Sequence, residues 1–233
     1  MPSSSSATGR KLPAELAALE REIVSCRRCP RLVAWREQVA HEKKAAHRGE
    51  EYWGRPVPGF GDPQARVVIL GLAPAAHGAN RTGRIFTGDR SGDFLFAALH
   101  RAHLANQPTS THRKDGLTLK GVWISAAVRC APPQNKPAPA ERDACLPYLE
   151  RELELLPEAR VLLCLGAFAW DAALRLFAVR PKPKFAHGAE HRVGDIVLLG
   201  SYHVSQQNTF TGVLTPAMLD EVLRQSKELA GLG

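Results

Sequence analysis

The stretch VVILGLAPAAHGANRTGRIFTGD, residues 67–89, decides the architecture. Four apolar residues, Val67, Val68, Ile69 and Leu70, stop at Gly71, and a loop rich in Gly, Asn, Thr and Arg follows. A helical pattern then begins near Ser91. Strand, loop and helix in that order are the unit of an open parallel α/β sheet, whose ligands bind at the carboxyl edge of the strands. The loop offers small residues for close backbone approach, two arginines for phosphate, one aromatic face in Phe86 and one carboxylate in Asp89. It is neither the dinucleotide fingerprint nor a Walker A sequence.

The same unit recurs on either side. Strands are expected at 66–72, 121–126, 160–165 and 195–200, and helices at 91–104, 139–156, 167–179 and 216–229. Upstream, Leu16, Leu19, Ile23 and Val24 recur at helical spacing from Pro13 onward. Residues 36–51 are dense in charge and read as a solvated helix or an excursion; the Pro- and Gly-rich residues 52–63 read as irregular. Alternating strands and helices predict the α/β class: a three-layer α/β/α sandwich around a four-stranded, mainly parallel sheet with right-handed crossovers. Residues 13–233 are expected to form a single domain and residues 1–12 a disordered tail.

Composition narrows the function classes. The 233 residues carry a formal charge of +8, which points towards polyanions, nucleic acid first. No apolar run reaches membrane-spanning length. The opening MPSSSSATGRK lacks the apolar core of a secretory signal, so a cytoplasmic, nucleoid-associated protein with no membrane partner is expected.

Five cysteines without a secretion signal argue against a disulfide framework. Cys26 and Cys29 form a C-x2-C pair, and Cys130 and Cys145 follow about a hundred residues later. Cys164, inside the apolar run VLLCLG, reads as a small buried hydrophobe. The other four suit one site, either zinc or an iron–sulfur cluster, with 4Fe-4S favoured and a structural role expected.

Three motifs in order then carry a resemblance: GLAPAAHGANRTGRIFTGD from Gly71, AAVRCAPPQNKP from Ala126, and YHVSQQNTFTG from Tyr202. Together with the cysteine spacing they resemble the uracil-DNA glycosylase superfamily, most closely its family 5, the iron–sulfur type B branch. The resemblance spans most of the chain, from Cys26 to the C-terminus. It implies hydrolysis of the N-glycosidic bond of uracil and of other deaminated or modified bases in double-stranded DNA, by a monomer that flips the base. Families 1 and 4 carry a carboxylate where this chain has Ala73, and an Asn where it has Ala126. Both departures fit the broader family 5, because losing the Asn removes the buried hydrogen bonds that reject other bases.

By this resemblance Phe86 stacks on the base, Ala73 lines its pocket and His203 donates to a base oxygen. Asp89 and Asn135 serve the sugar cation or the attacking water. Phe86 could equally be a core ring, and Asp89 could cap the helix that begins near Ser91. Asn80, Arg81, Arg84, Ser205, Gln206, Gln207 and Asn208 are candidate DNA contacts or pocket walls, and Arg129, Lys136, Lys182 and Lys184 candidate phosphate contacts. No lysine is assignable as a Schiff-base nucleophile. The alternative is a non-catalytic iron–sulfur module that binds lesions.

Overall fold

The computed structural model describes residues 12–233; most of the expected tail, residues 1–11, lies outside them. Two helices come first, α1 (Ala14–Ser25) and α2 (Pro30–Glu42). The sheet is β1 (Phe60–Gly61), β2 (Val67–Gly71), β3 (Val122–Ala126), β4 (Val161–Leu165), β5 (Glu190–Val193) and β6 (Ile196–Ser201). Between and after the strands lie α3 (Ala79–Thr82), α4 (Arg90–Arg101), α5 (Pro139–Glu154), α6 (Ala167–Leu176), α7 (Gln206–Phe210) and α8 (Pro216–Ala230).

The sheet order is β1-β3-β2-β4-β6-β5, with β3, β2, β4 and β6 mutually parallel. This is the expected parallel four, extended at each edge by an antiparallel strand. Sequence patterning missed both edges. β1 has only two residues, and β5 (EHRV) carries three polar side chains and no apolar run.

Strand alternation builds the layers. Val67 and Ile69 face one core with Ile124, Leu163 and Leu199, closed by Leu95 and Leu99 of α4 and Leu219 and Leu223 of α8. Val68 and Leu70 face the other with Trp123, Leu162 and Leu198, closed by Leu149 of α5, Trp170 of α6 and Leu16 of α1. Cys164 is wholly buried in that second core, as its apolar setting predicts. Each fully buried Leu or Ile contributes about 1.5–3 kcal/mol. Crossover handedness assigns the helices to faces. The step from β2 to β3 runs one way along the sheet, and the steps through β4 to β6 run the other. Right-handed crossovers therefore put α4 on one face and α5 and α6 on the opposite face. The reversal makes the carboxyl ends of β2 and β4 the switch point, whose crevice is where such sheets bind ligands.

Candidate active site and cysteine centre

β2 delivers its loop into this crevice. Gly71 ends the strand in register with Ala126 of β3. A Cβ on Gly71 would lie 2.8 Å from Cζ of Phe86, so the glycine makes room for the ring. Phe86 is buried and holds a left-handed φ of 52°. Gly92, in the first turn of α4, lets the helix start against the Phe86 carbonyl, since a Cβ there would stand 2.0 Å from that oxygen.

β6 delivers the second loop. His203 packs beside Gly166, which ends β4 with φ +91° and whose Cβ, if present, would come within 3.1 Å of His203 Cβ. The Asn208 side chain donates to the His203 carbonyl at 2.8 Å, and Ser205 Oγ caps α7 by accepting from the Asn208 N–H at 3.4 Å. The Phe86 and His203 ring centres are 6.2 Å apart, tilted by 43°. Burial lowers the His203 pKa to about 4, so its imidazole is neutral at physiological pH.

Asp89 is the N-cap of α4, and its Oδ1 accepts from the Gly92 N–H at 2.9 Å. The capping reading of the sequence is therefore realised, and it leaves Oδ2 over for other work. That oxygen lies against Gly78, where a Cβ would sit only 2.0 Å away. Desolvation raises the Asp89 pKa against the pull of the backbone N–H groups of Gly92 and Ser91. Asn135 is exposed on the loop after β3, at a left-handed φ of 55°.

Three candidate DNA contacts are corrected. Asn80, Arg81 and Arg84 are buried and turned inward. Asn80 donates to the Arg36 carbonyl at 3.2 Å. Arg81 binds the carbonyls of His77 and Gly88 and the Glu50 carboxylate. Arg84 binds Thr87, Ser110 and, at 2.6 Å, the part-buried Asp115. Arginine in a loop reads as a phosphate ligand from sequence, but here each guanidinium is spent bracing the loop. Arg129 is likewise buried against Glu152, and Lys182 pairs with Asp171.

Gln206 and Gln207 are exposed on α7, while Ser205 and Asn208 hold the loop itself. Beside them, within the segment 205–211 expected to enter the groove, stands a side chain that the sequence reading did not single out. Phe210 is 69% exposed, with the Arg90 guanidinium 5.8 Å from its ring centre, and Val213 is 45% exposed. The signal was there: one aromatic in an otherwise polar run, QQNTFTG. The larger surface hollows lie elsewhere. One of about 700 Å³ runs from Arg21 of α1 past Arg36 to Trp53 and Arg55, and one of about 440 Å³ lies between Arg101 and Arg224.

Cys26 ends α1, Cys29 begins α2, Cys130 follows β3 and Cys145 lies in α5. All four line one small cavity with Leu32 and Tyr148. Among the described residues, no three Cys, His, Asp or Glu side chains converge as closely as a single metal ion demands. Burial pushes the thiols of Cys130 and Cys145 up to about 12 and about 11. Ala73, at the mouth of the β2 loop, packs against the apolar shell of this cavity. The four-cysteine cavity and the β2 loop are thus neighbours.

The family model of the uracil DNA glycosylase superfamily matches residues 58–227, from β1 to α8. The chain belongs to that superfamily. It is 57% identical to the Type-5 uracil-DNA glycosylase of Mycobacterium tuberculosis, over 94% of this chain and 82% of that one. The Type-5 uracil-DNA glycosylase of Thermus thermophilus is 56% identical over 92% and 98% of the two chains. That of Pyrobaculum aerophilum is 44% identical over 90% and 91%. Within the superfamily fold, the β2 and β6 loops of this chain meet at the switch crevice through Phe86 and His203.

Proposed function

We propose that the chain is a monofunctional DNA glycosylase of base-excision repair. It removes uracil, and other deaminated or modified bases, from double-stranded DNA by flipping the nucleotide out and hydrolysing the bond between C1′ and the base. The observation that carries this reading is the pairing of Phe86 with a neutral His203 across the crevice, in a chain of this superfamily.

The spacing suits the task. A base stacked ~3.5 Å above the Phe86 ring presents its edge to one side, and a donor near that edge stands about 6 Å from the ring centre, within the usual range for ring neighbours. His203 donates to the base oxygen as negative charge collects on the leaving group. One such donor contributes about 3–4 kcal/mol to the transition state. The neutral ring acts by hydrogen bonding and not as an acid. Asp89, through Oδ2, stabilises the positive sugar and orients the water that attacks C1′. Asn135, on the neighbouring loop, is assigned to the same water. Gln206 and Gln207 meet the strand beside the extruded nucleotide, and Phe210 fills the gap it leaves. With alanine at positions 73 and 126, the pocket carries no side-chain polar group there to reject other bases.

The four cysteines are assigned a 4Fe-4S cluster. A single zinc would draw its thiolates to about 2.3 Å from one point. What supports one shared centre is that all four thiols line the same cavity. When bound, the cluster supplies iron–thiolate bonds that tie α1, α2, the β3 loop and α5 together. The protein acts as a monomer associated with the nucleoid.

The test is a duplex with one uracil. The protein releases free uracil and leaves an abasic site that breaks only on alkali treatment. Metal-loaded, folded protein that binds this duplex and releases no base would reject the enzyme in favour of a lesion-binding module.

A further inference from the structure

Arg36 is a buried charge without a carboxylate of its own. Its side chain is 2% exposed. Nη1 lies 2.9 Å from the Cys130 sulfur, and Nη2 donates to the Cys26 carbonyl at 3.2 Å. The carboxylate within its reach, Glu37, is 3.8 Å away and is gripped by both terminal nitrogens of Arg27. The Arg36 Nε has no partner. A buried guanidinium is strongly destabilising unless an anion compensates it. Here the group at hydrogen-bond distance that can be that anion is the Cys130 sulfur, as a metal-bound thiolate. Arg36 therefore belongs electrostatically to the cysteine centre.

The same residue holds the catalytic loop by its backbone. Asn80, fully buried in α3, donates its side-chain N–H to the Arg36 carbonyl. From α3 the bracing continues towards Asp89: Arg81 donates to the Gly88 carbonyl at 2.9 Å, and the Thr82 hydroxyl to the Thr87 carbonyl at 3.2 Å. Thus a continuous chain of contacts runs from Cys130 through Arg36 and Asn80 to the residues that set Phe86 and Asp89.

We propose that Arg36 is a positioning residue. It couples occupancy of the cysteine centre to the placement of the catalytic loop through its link to Asn80. The cluster then acts as more than a staple for the N-terminal helices, because losing it strands the Arg36 charge and loosens residues 79–89. This rests on the metal-centre reading above.

The test uses the full-length protein, loaded and then stripped by chelator, with amide hydrogen exchange of residues 79–89 as readout. Stripping the wild type should speed that exchange by about tenfold, mid-range for coupling between two sites. Asn80→Ala should keep its iron, show fast exchange already when loaded, and respond little further to stripping. It should lower kcat with little change in KM. Arg36→Met should lose iron faster to chelator and exchange fast; Arg36→Lys, which keeps the charge and one donor, should fall between. If Arg36→Met does not fold, the wild-type and Asn80→Ala arms decide. Equal exchange in loaded and stripped wild type, or wild-type behaviour in Asn80→Ala, overturns the coupling. Zinc in place of iron would overturn the cofactor reading but leave the loaded-against-stripped comparison decisive. A protein that holds no metal at all overturns both.

Discussion

Acid should cost this fold a defined amount through one ring. Burial carries the His203 pKa from an ordinary 6.5 to about 4, a shift worth roughly 3 kcal/mol at about 1.4 kcal/mol per unit. Because the folded value is the lower one, the unfolded chain takes up the proton first. His203 therefore leaves stability untouched above about pH 7. It withdraws stability as pH falls below 6.5 and withdraws no more below about 4. The perturbation is a change from pH 8 to pH 4.5, applied to the wild type and to His203→Gln, which keeps an N–H donor but cannot titrate. Urea unfolding should show the wild type losing roughly 2–3 kcal/mol more than the variant over that range. Other acid-sensitive groups are shared by both chains and drop out of the difference. Catalysis supplies the second reading. If the neutral ring is the working form, single-turnover base release between pH 5.5 and 8.5 should have the same pH dependence in both chains. His203→Ala should be slower by about 10²–10³ at every pH. A His203 ring resonance titrating near 6.5, or a rise in rate with acid seen in the wild type alone, would refute the neutral donor and with it the assigned chemistry.

Gly71→Ala drives a methyl into Phe86 and should cost about 1–3 kcal/mol of stability by overpacking. It should also slow base release at least about tenfold; a wild-type rate would mean that the placement of the Phe86 ring is immaterial. Arg84→Met leaves the part-buried Asp115 carboxylate to the backbone N–H groups of Thr111 and Leu117 and should cost about 1.5–3 kcal/mol, the worth of a charged hydrogen bond. The salt dependence of DNA binding should be unchanged, whereas a slope reduced by about 1 would restore Arg84 as a phosphate contact. Phe210→Ala removes an exposed ring and should change stability by no more than about 0.5 kcal/mol. Binding of uracil duplex should weaken several-fold in a fluorescence titration, and unaltered affinity would take Phe210 out of the interface.

The parallel core was legible because each of its strands is a short apolar run stopped by a turn or a polar loop, and that pattern is local. The edges β1 and β5 were not, since their pairing depends on neighbours and not on their own side chains. At the site, the residue types in the β2 and β6 loops announced an aromatic, a carboxylate and a histidine. Whether a given arginine there faced solvent or protein was invisible. Arg81 and Arg84 are buried because distant residues, Glu50 and Asp115, come to meet them.

Amino-acid order by itself therefore determined the α/β alternation, the loops that reach one sheet edge, and four thiols suited to one centre. The tertiary structure alone decided which charges are spent inside and which remain for DNA. It also brought Arg36 between Cys130 and Asn80, residues 94 and 44 positions away along the chain. The physical reason is that periodicity and turn chemistry act over a few neighbouring residues. The fate of a charge depends on burial and on a partner that only folding brings within reach.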